Sequence, residues 1–402
     1  MSVAITSPIS HTILNMAESA TLKMSQLGRE LKAKGHDVIS LSLGEPDFDT
    51  PDHIKEAAKK ALDEGYTKYT PVPGLLELRE AICTKFKRDN GLEFTPNQIV
   101  VSTGAKQSLH NLCQALLNEG DEAIIFSPYW VTYSEIVKLA GGVPVDVFAG
   151  IENDYKVTAE QVEAAITDRT KIVLFSSPCN PTGSVYLEHE LEAIANVIGK
   201  YEDIYVIADE IYEYINFVGK HSSIGRFDAI KDRTITVNGF AKGFAMTGWR
   251  LGYIGAPLEI AKACSKHQGQ VTSGANAFAQ KAAAHALLAD MTPTHEMRAQ
   301  FLKRRDMVLA LLKEIPDLKV NEPEGAFYVF PDISNYMGKR AGDTPIENSE
   351  DFCIYMLNEA HVALVPGGAF GAEGYFRMSY AASEAQLREA IRRIKVAIGK
   401  IK

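Results

Sequence analysis

Between about residues 97 and 255, short apolar runs alternate with amphipathic stretches. QIVVS (98–102), EAIIFS (122–127), VPVDVF (143–148), KIVLFSS (171–177), YVIAD (205–209), TITVN (234–238) and LGYIGA (251–256) predict strands. AKQSLHNLCQALL (105–117), YSEIVKLA (133–140) and EHELEAIANVIGK (188–200) place apolar residues three and four apart and predict helices. Strands alternating with helices imply right-handed crossovers and a mostly parallel sheet, hence an α/β fold. Ligands of such sheets bind beyond the carboxyl ends of the strands.

The pattern changes after residue 295. A helix over 295–314 leads into PEGAFYVF (323–330), VALVPGGAF (362–370), YFRMSYA (375–381) and a closing helix. This predicts a smaller α+β domain, completed by the N-terminal segment through GEPDFDTP (44–51). The expected organisation is therefore a segment 1–50 contributing to the small domain, a large sheet domain 51–295 and a small C-terminal domain 296–402.

Distinctive polar groups fall just after the predicted strands. Lys242 sits in NGFAKGFAMTGWRLGY (238–253) among Gly239, Ala241, Gly243 and Ala245, which let a large ligand approach its amine. Such a lysine is either a nucleophile toward an aldehyde, through a Schiff base, or an exposed loop residue. Arg250 suits a phosphate or carboxylate clamp, or a surface ion pair. Asp209 ends YVIAD; it suits a protonated ring nitrogen, or a helix N-cap. Tyr212 can reach the same ligand or pack as a core aromatic. Asn180 lies in the turn SPCNPTG (177–183 within SSPCNPTG), where it either donates to a ring oxygen or rigidifies a connector. STGAKQ (102–107), with Gly104 and Ala105, opens a helix and offers backbone N–H groups to a phosphate. Trp130 can stack on a planar ring. Arg377, inside the apolar run YFRMSY, needs an anionic partner if buried, either a substrate carboxylate or an internal acid. Together these groups describe one ligand, a phosphorylated pyridine carrying an aldehyde and a hydroxyl.

Composition narrows the field further. A net charge of −9 argues against nucleic acid or an anionic membrane as the main partner. The five cysteines are scattered without metal-ligand spacing, which suits a reducing compartment, so no metal and a cytoplasmic location are expected. No basic residue precedes Lys23, no apolar run approaches spanning length, and no GxGxxG or Walker loop follows a strand.

SPCNPTG, DEIYE, NGFAK and FAMTGWRLGY, in this order, make the chain closely similar to the fold type I pyridoxal-phosphate-dependent aminotransferases. Within them it resembles the bacterial aspartate aminotransferases of the prokaryotic subgroup. The resemblance runs from SATLKM (19–24) to the final helix. It implies pyridoxal 5'-phosphate as cofactor and a homodimer with active sites at the subunit interface. It also implies that Lys242 joins the cofactor, Asp209 faces its ring nitrogen, and Asn180 and Tyr212 face its ring hydroxyl. Trp130 would stack on the ring, Gly104, Ala105 and Arg250 would hold the phosphate, and Tyr69 in KYTPVPG would serve the neighbouring subunit's phosphate. Arg377 would bind the substrate α-carboxylate beneath the closing loop at Gly44. Ala241 and Gly239 stand where many relatives have serine, so a hydroxyl contact to the phosphate is expected to be missing.

In the aspartate-using subgroup a lysine in the first turn of the phosphate helix binds the distal carboxylate. Lys106 matches it, with Ser19 and Thr21 assisting; its other reading is a solvent-facing helix lysine. The function implied is ping-pong transamination between aspartate, or glutamate, and 2-oxo acids such as 2-oxoglutarate. Prephenate, aromatic amino acids and alanine remain as alternative substrates. A lyase or cyclopropane-forming synthase of the same fold is disfavoured by Lys106. A transcription regulator would need a DNA-binding domain in some fifty N-terminal residues of an acidic chain. A catalytically dead homologue would have lost an expected catalytic position, and none is lost.

Overall fold

The computed structural model describes residues 8–402; the first seven residues of the expected 1–50 segment lie outside the described residues. Seven of the apolar runs form one sheet: β1 (Ile99–Ser102), β2 (Glu122–Ser127), β3 (Val143–Phe148), β4 (Thr170–Ser176), β5 (Tyr205–Asp209), β6 (Thr234–Gly239) and β7 (Gly252–Gly255). Their spatial order is β1-β7-β6-β5-β4-β2-β3. β3, β2, β4, β5 and β6 run parallel, and β7 lies antiparallel between β6 and β1. β1 therefore points the same way as the parallel set. The carboxyl ends of β1, β2, β4, β5 and β6 open on one edge.

Alternation along each strand sorts the side chains onto two faces. Ile125, Leu174, Ile207 and Ile235 pack on one side with Leu109, Leu112, Ile136 and Cys264. These last four belong to helices α1 (Ala105–Leu116), α2 (Thr132–Leu139) and α4 (Leu258–Val271). Ile124, Val173 and Val206 pack on the other side with Leu191, Ile194 and Ile198 of α3 (Glu188–Ile198). Each such fully buried aliphatic side chain contributes roughly 1.5–3 kcal/mol. Only the edge strand β3 exposes large apolar residues, Val143 and Phe148.

The last third of the chain builds a separate core. Helix α5 (Thr292–Leu312) starts three residues before the expected 295, because Pro293 is well suited to a first helical turn. The run 362–370 divides into two short strands that serve different sheets. Val362–Ala363 pairs in parallel with Ile39–Ser40, and Val365–Pro366 pairs with Phe376–Ser379. Phe376–Ser379 in turn pairs with Tyr328–Val329. Met24, Val38, Ile39 and Leu41 join Phe301, Leu312, Phe327, Phe376 and Ile394 in one apolar cluster. The N-terminal segment thus packs with residues 260 to 370 positions away. Among the described residues no helix is long and apolar enough to cross a membrane.

Candidate active site

A cavity of about 360 Å³ opens at the carboxyl edge of the sheet, where the second core meets it. Ser19, Thr21, Gly44, Gly104, Ala105, Lys106, Trp130, Asn180, Asp209, Tyr212, Lys242, Arg250 and Arg377 all line it. Of the residues expected to bind cofactor or substrate, only Tyr69 stands apart. It lies in the loop after helix Asp52–Asp63 and is 98% exposed.

The loop after β6 explains the setting of Lys242. Phe240, Phe244 and Met246 bury into the apolar cluster on one side. That anchoring turns Lys242 to the other side, where its amine donates to the Gly44 carbonyl. The rings of Tyr212 and Phe327 lie 5.7 and 5.9 Å from its Nζ. Burial, followed by the positive charge of Arg377, pulls the Lys242 amine down to about 8. A substantial fraction is then neutral near physiological pH, as a nucleophile or general base requires.

Asp209 closes β5 and is 3% exposed. Burial pushes its carboxyl up to about 6, opposed mainly by the Tyr133 hydroxyl, which donates to Oδ2 at 2.7 Å. The Ile211 N–H donates to Oδ1 at 3.2 Å. The carboxylate is therefore fixed in direction and short of countercharge, which suits a cationic ring N–H.

The phosphate-like corner lies where α1 begins. Gly104 has φ +87°, and a Cβ there would fall 2.5 Å from Arg250 Nη2. Only glycine lets the guanidinium lie against this turn. Arg250 itself adopts φ 55° and donates to the Thr247 carbonyl at 3.0 Å. Lys106 extends over Trp130, with Nζ 4.9 Å from the ring centroid. Burial, then the nearby Arg250, lowers the pKa of Lys106. Thr21 Oγ1 is buried without a hydrogen-bond partner.

Arg377 is 1% exposed. It donates to Asn180 Oδ1 at 2.9 Å and to the Ser42 carbonyl, while its Nε has no partner. Among the described residues no carboxylate meets it, so no described acid is its counterion. Because Asn180 Oδ1 faces Arg377, a ring oxygen would be met by Nδ2.

The structure adds two tyrosines to the set expected from sequence. Tyr133 lies in the first turn of α2, three residues after Trp130, which precedes the helix; the two rings meet edge to face with centroids 5.7 Å apart. Tyr328 lines the cavity from the second core, and its hydroxyl lies 2.7 Å from that of Tyr212. The spacing from Trp130 offers a signal for Tyr133. Tyr328 depends on a long-range pairing and has no local signal.

The family profile described as aminotransferase class I and II matches residues 36–394. The chain belongs to this family. The aspartate/prephenate aminotransferase of Cereibacter sphaeroides (strain ATCC 17029 / ATH 2.4.9) is 47% identical over 96% of this chain and 98% of its own. The crystal structure of the aspartate aminotransferase from Rhizobium meliloti superposes with TM-score 0.95 at 41% identity, covering 99% of this chain and 100% of that one. That of the Thermus thermophilus aspartate aminotransferase with maleate gives TM-score 0.91 at 42% identity, covering 98% and 100%. In this member of the family the lowered-pKa amine of Lys242, the buried Asp209 and the buried Arg377 all face one cavity.

Removing the Tyr133 hydroxyl tests the Asp209 environment. Tyr133→Phe deletes the main group favouring the ionised acid. The acidic limb of the kcat/KM profile is expected to move up by about 0.5–1 pH unit, the worth of one hydrogen bond. An unchanged limb would mean that Asp209 does not govern it.

Proposed function

We propose that this aminotransferase exchanges amino groups between L-aspartate, or glutamate, and 2-oxo acids such as 2-oxoglutarate, using pyridoxal 5'-phosphate. The observation that carries this reading is the cavity's charge. Lys106, Lys242, Arg250 and Arg377 line it against a single carboxylate, Asp209. Such a lining suits ligands that together bring a phosphate and two carboxylates. The unpartnered Arg377 Nε and the Gly104 cradle fit the same ligands.

In this reading Gly104, Ala105 and Arg250 hold the cofactor phosphate, and Trp130 covers its ring. Asn180 and Tyr212 meet the ring oxygen, and Asp209 keeps the ring nitrogen protonated. When bound, the cofactor supplies an electron sink for the charge left on the substrate α-carbon. Lys242 would bind it and, as a free amine, would take the α-proton and return it to the cofactor's former aldehyde carbon, across the nitrogen that joins the two. Arg377 holds the α-carboxylate of either substrate, which gives the two half-reactions one pocket and ping-pong kinetics. Lys106, with Ser19 and Thr21, receives the distal carboxylate.

We further assign a homodimer in the cytoplasm, with the partner subunit's Tyr69 reaching the phosphate. The near-complete exposure of Tyr69 supports this reading. Domain limits of 51–295 and 296–402, with residues up to 50 contributing to the smaller unit, accord with the separate apolar clusters.

A panel of amino donors with 2-oxoglutarate as acceptor tests the substrate. Aspartate should have the highest kcat/KM, with phenylalanine and alanine as rival donors, and prephenate, itself a 2-oxo acid, replaces 2-oxoglutarate as acceptor in a second panel. Lys106→Met should lower kcat/KM for aspartate by roughly 30-fold or more and spare alanine, because only the dicarboxylate loses a buried partner. Preference for an apolar donor in the wild type would overturn the assignment.

A further inference from the structure

Tyr328 touches three parts of the site at once. Its hydroxyl shares a hydrogen bond of 2.7 Å with Tyr212. The Arg377 guanidinium carbon lies 4.6 Å from its ring centroid. A Cβ on Gly44 would overlap its hydroxyl, so the Gly44 backbone, whose carbonyl accepts from Lys242, rests directly on it. The strand pairing explains the arrangement. Tyr328 stands opposite Ser379, and Arg377 is two residues back on the same face, within diagonal reach of a long side chain. Tyr328 is fully buried, so solvent does not compete for these contacts.

We propose that Tyr328 is a positioning residue with two separable tasks, a proposal that rests on the function assigned above. Its hydroxyl donates to Tyr212, which leaves the Tyr212 proton free for the cofactor's ring oxygen. Its ring face holds the Arg377 fork in place for the substrate α-carboxylate. The direction of the hydrogen bond follows from the cation. Arg377 against the ring makes Tyr328 the more acidic phenol and hence the donor. Burial raises the pKa of both phenols and Arg377 lowers both, but the cation lies directly against the Tyr328 ring, and the shared hydrogen bond lowers Tyr328 while it raises Tyr212. The other charged groups facing Tyr212 are Asp209 and Lys242, and neither donates to its oxygen.

The two tasks separate in two variants of the holoenzyme, read by pH titration of its absorbance and by the dissociation constant of maleate, a non-reacting dicarboxylate. Tyr328→Phe keeps the ring. It should raise the titration midpoint by about 0.5–1 unit, as the ring oxygen loses a strengthened donor, with maleate affinity within about twofold of wild type. Tyr328→Leu should also weaken maleate about 10-fold, since a desolvated cation–ring contact is lost. If the leucine variant takes up no cofactor, the phenylalanine variant, which fills the same space, decides alone. An unmoved midpoint in Tyr328→Phe overturns the proposal, as does a loss of maleate affinity there equal to that of Tyr328→Leu. A wild-type protein without a pH-dependent cofactor band overturns both this inference and the function beneath it. A normal wild-type band with unmoved variants overturns this inference alone.

Discussion

Lys242→Ala should lower kcat by at least about 10⁴-fold, because under the proposed function it removes both the attachment point of the cofactor and the base that moves the α-proton. Asp209 is fixed at the sheet edge by Tyr133 and the Ile211 N–H, and Arg377 is held by Asn180 and Ser42, so neither can swing in as a substitute. Single-turnover measurement of α-proton loss checks this, and a near-normal rate would remove Lys242 from the chemistry. Borohydride reduction of the wild-type holoenzyme followed by peptide mapping should mark Lys242. A mark at Lys106 would reassign the nucleophile, since that amine lies in the same cavity.

The Lys242 environment also predicts a dependence on pH in the cofactor-free protein. The folded amine sits at about 8, against 10.5 for an unperturbed lysine. Between these values the unfolded chain binds a proton that the folded chain does not. Stability from this group therefore rises with pH across that window and is lost as pH falls through 8. Lys242→Met should flatten that rise in denaturant titrations at pH 8 and pH 10. An equal rise in wild type and variant would place its origin elsewhere.

The sheet was legible because each of its strands is a short β-rich run with a helix or turn signal beside it. β4 and β5 are buried on both faces and read as continuous apolar stretches, as a parallel sheet demands. The candidate site was legible for a related reason: strand ends bring distant polar residues together without any side chain being known. Legibility ended where position depends on long-range pairing. Tyr328 and Arg377 meet only because two short strands align, and the run 362–370 contributes to two sheets at once. Nothing local distinguishes Val362–Ala363 from Val365–Pro366. Its setting in an apolar run left Arg377 open to two readings, an internal ion pair and a substrate clamp, and only the resemblance favoured the second. They separate once its partners are seen to be an amide and a carbonyl.

That distinction sets the second large effect. Arg377→Leu should reduce kcat/KM by about 30- to 5,000-fold, the range for removing one member of a buried charged pair. The loss should be nearly equal for the amino acid and the oxo acid, because the α-carboxylate is the group they share. It should also be nearly equal for aspartate and alanine, unlike the loss in Lys106→Met, which concerns the distal carboxylate. Arg377→Lys should recover only part of the activity. A single ammonium cannot reproduce the planar fork that meets Asn180 and Ser42 while presenting further N–H groups to a carboxylate. Initial rates for both half-reactions check the pattern. A defect confined to dicarboxylates would exchange the roles of Arg377 and Lys106, and with them the orientation of the substrate in the cavity.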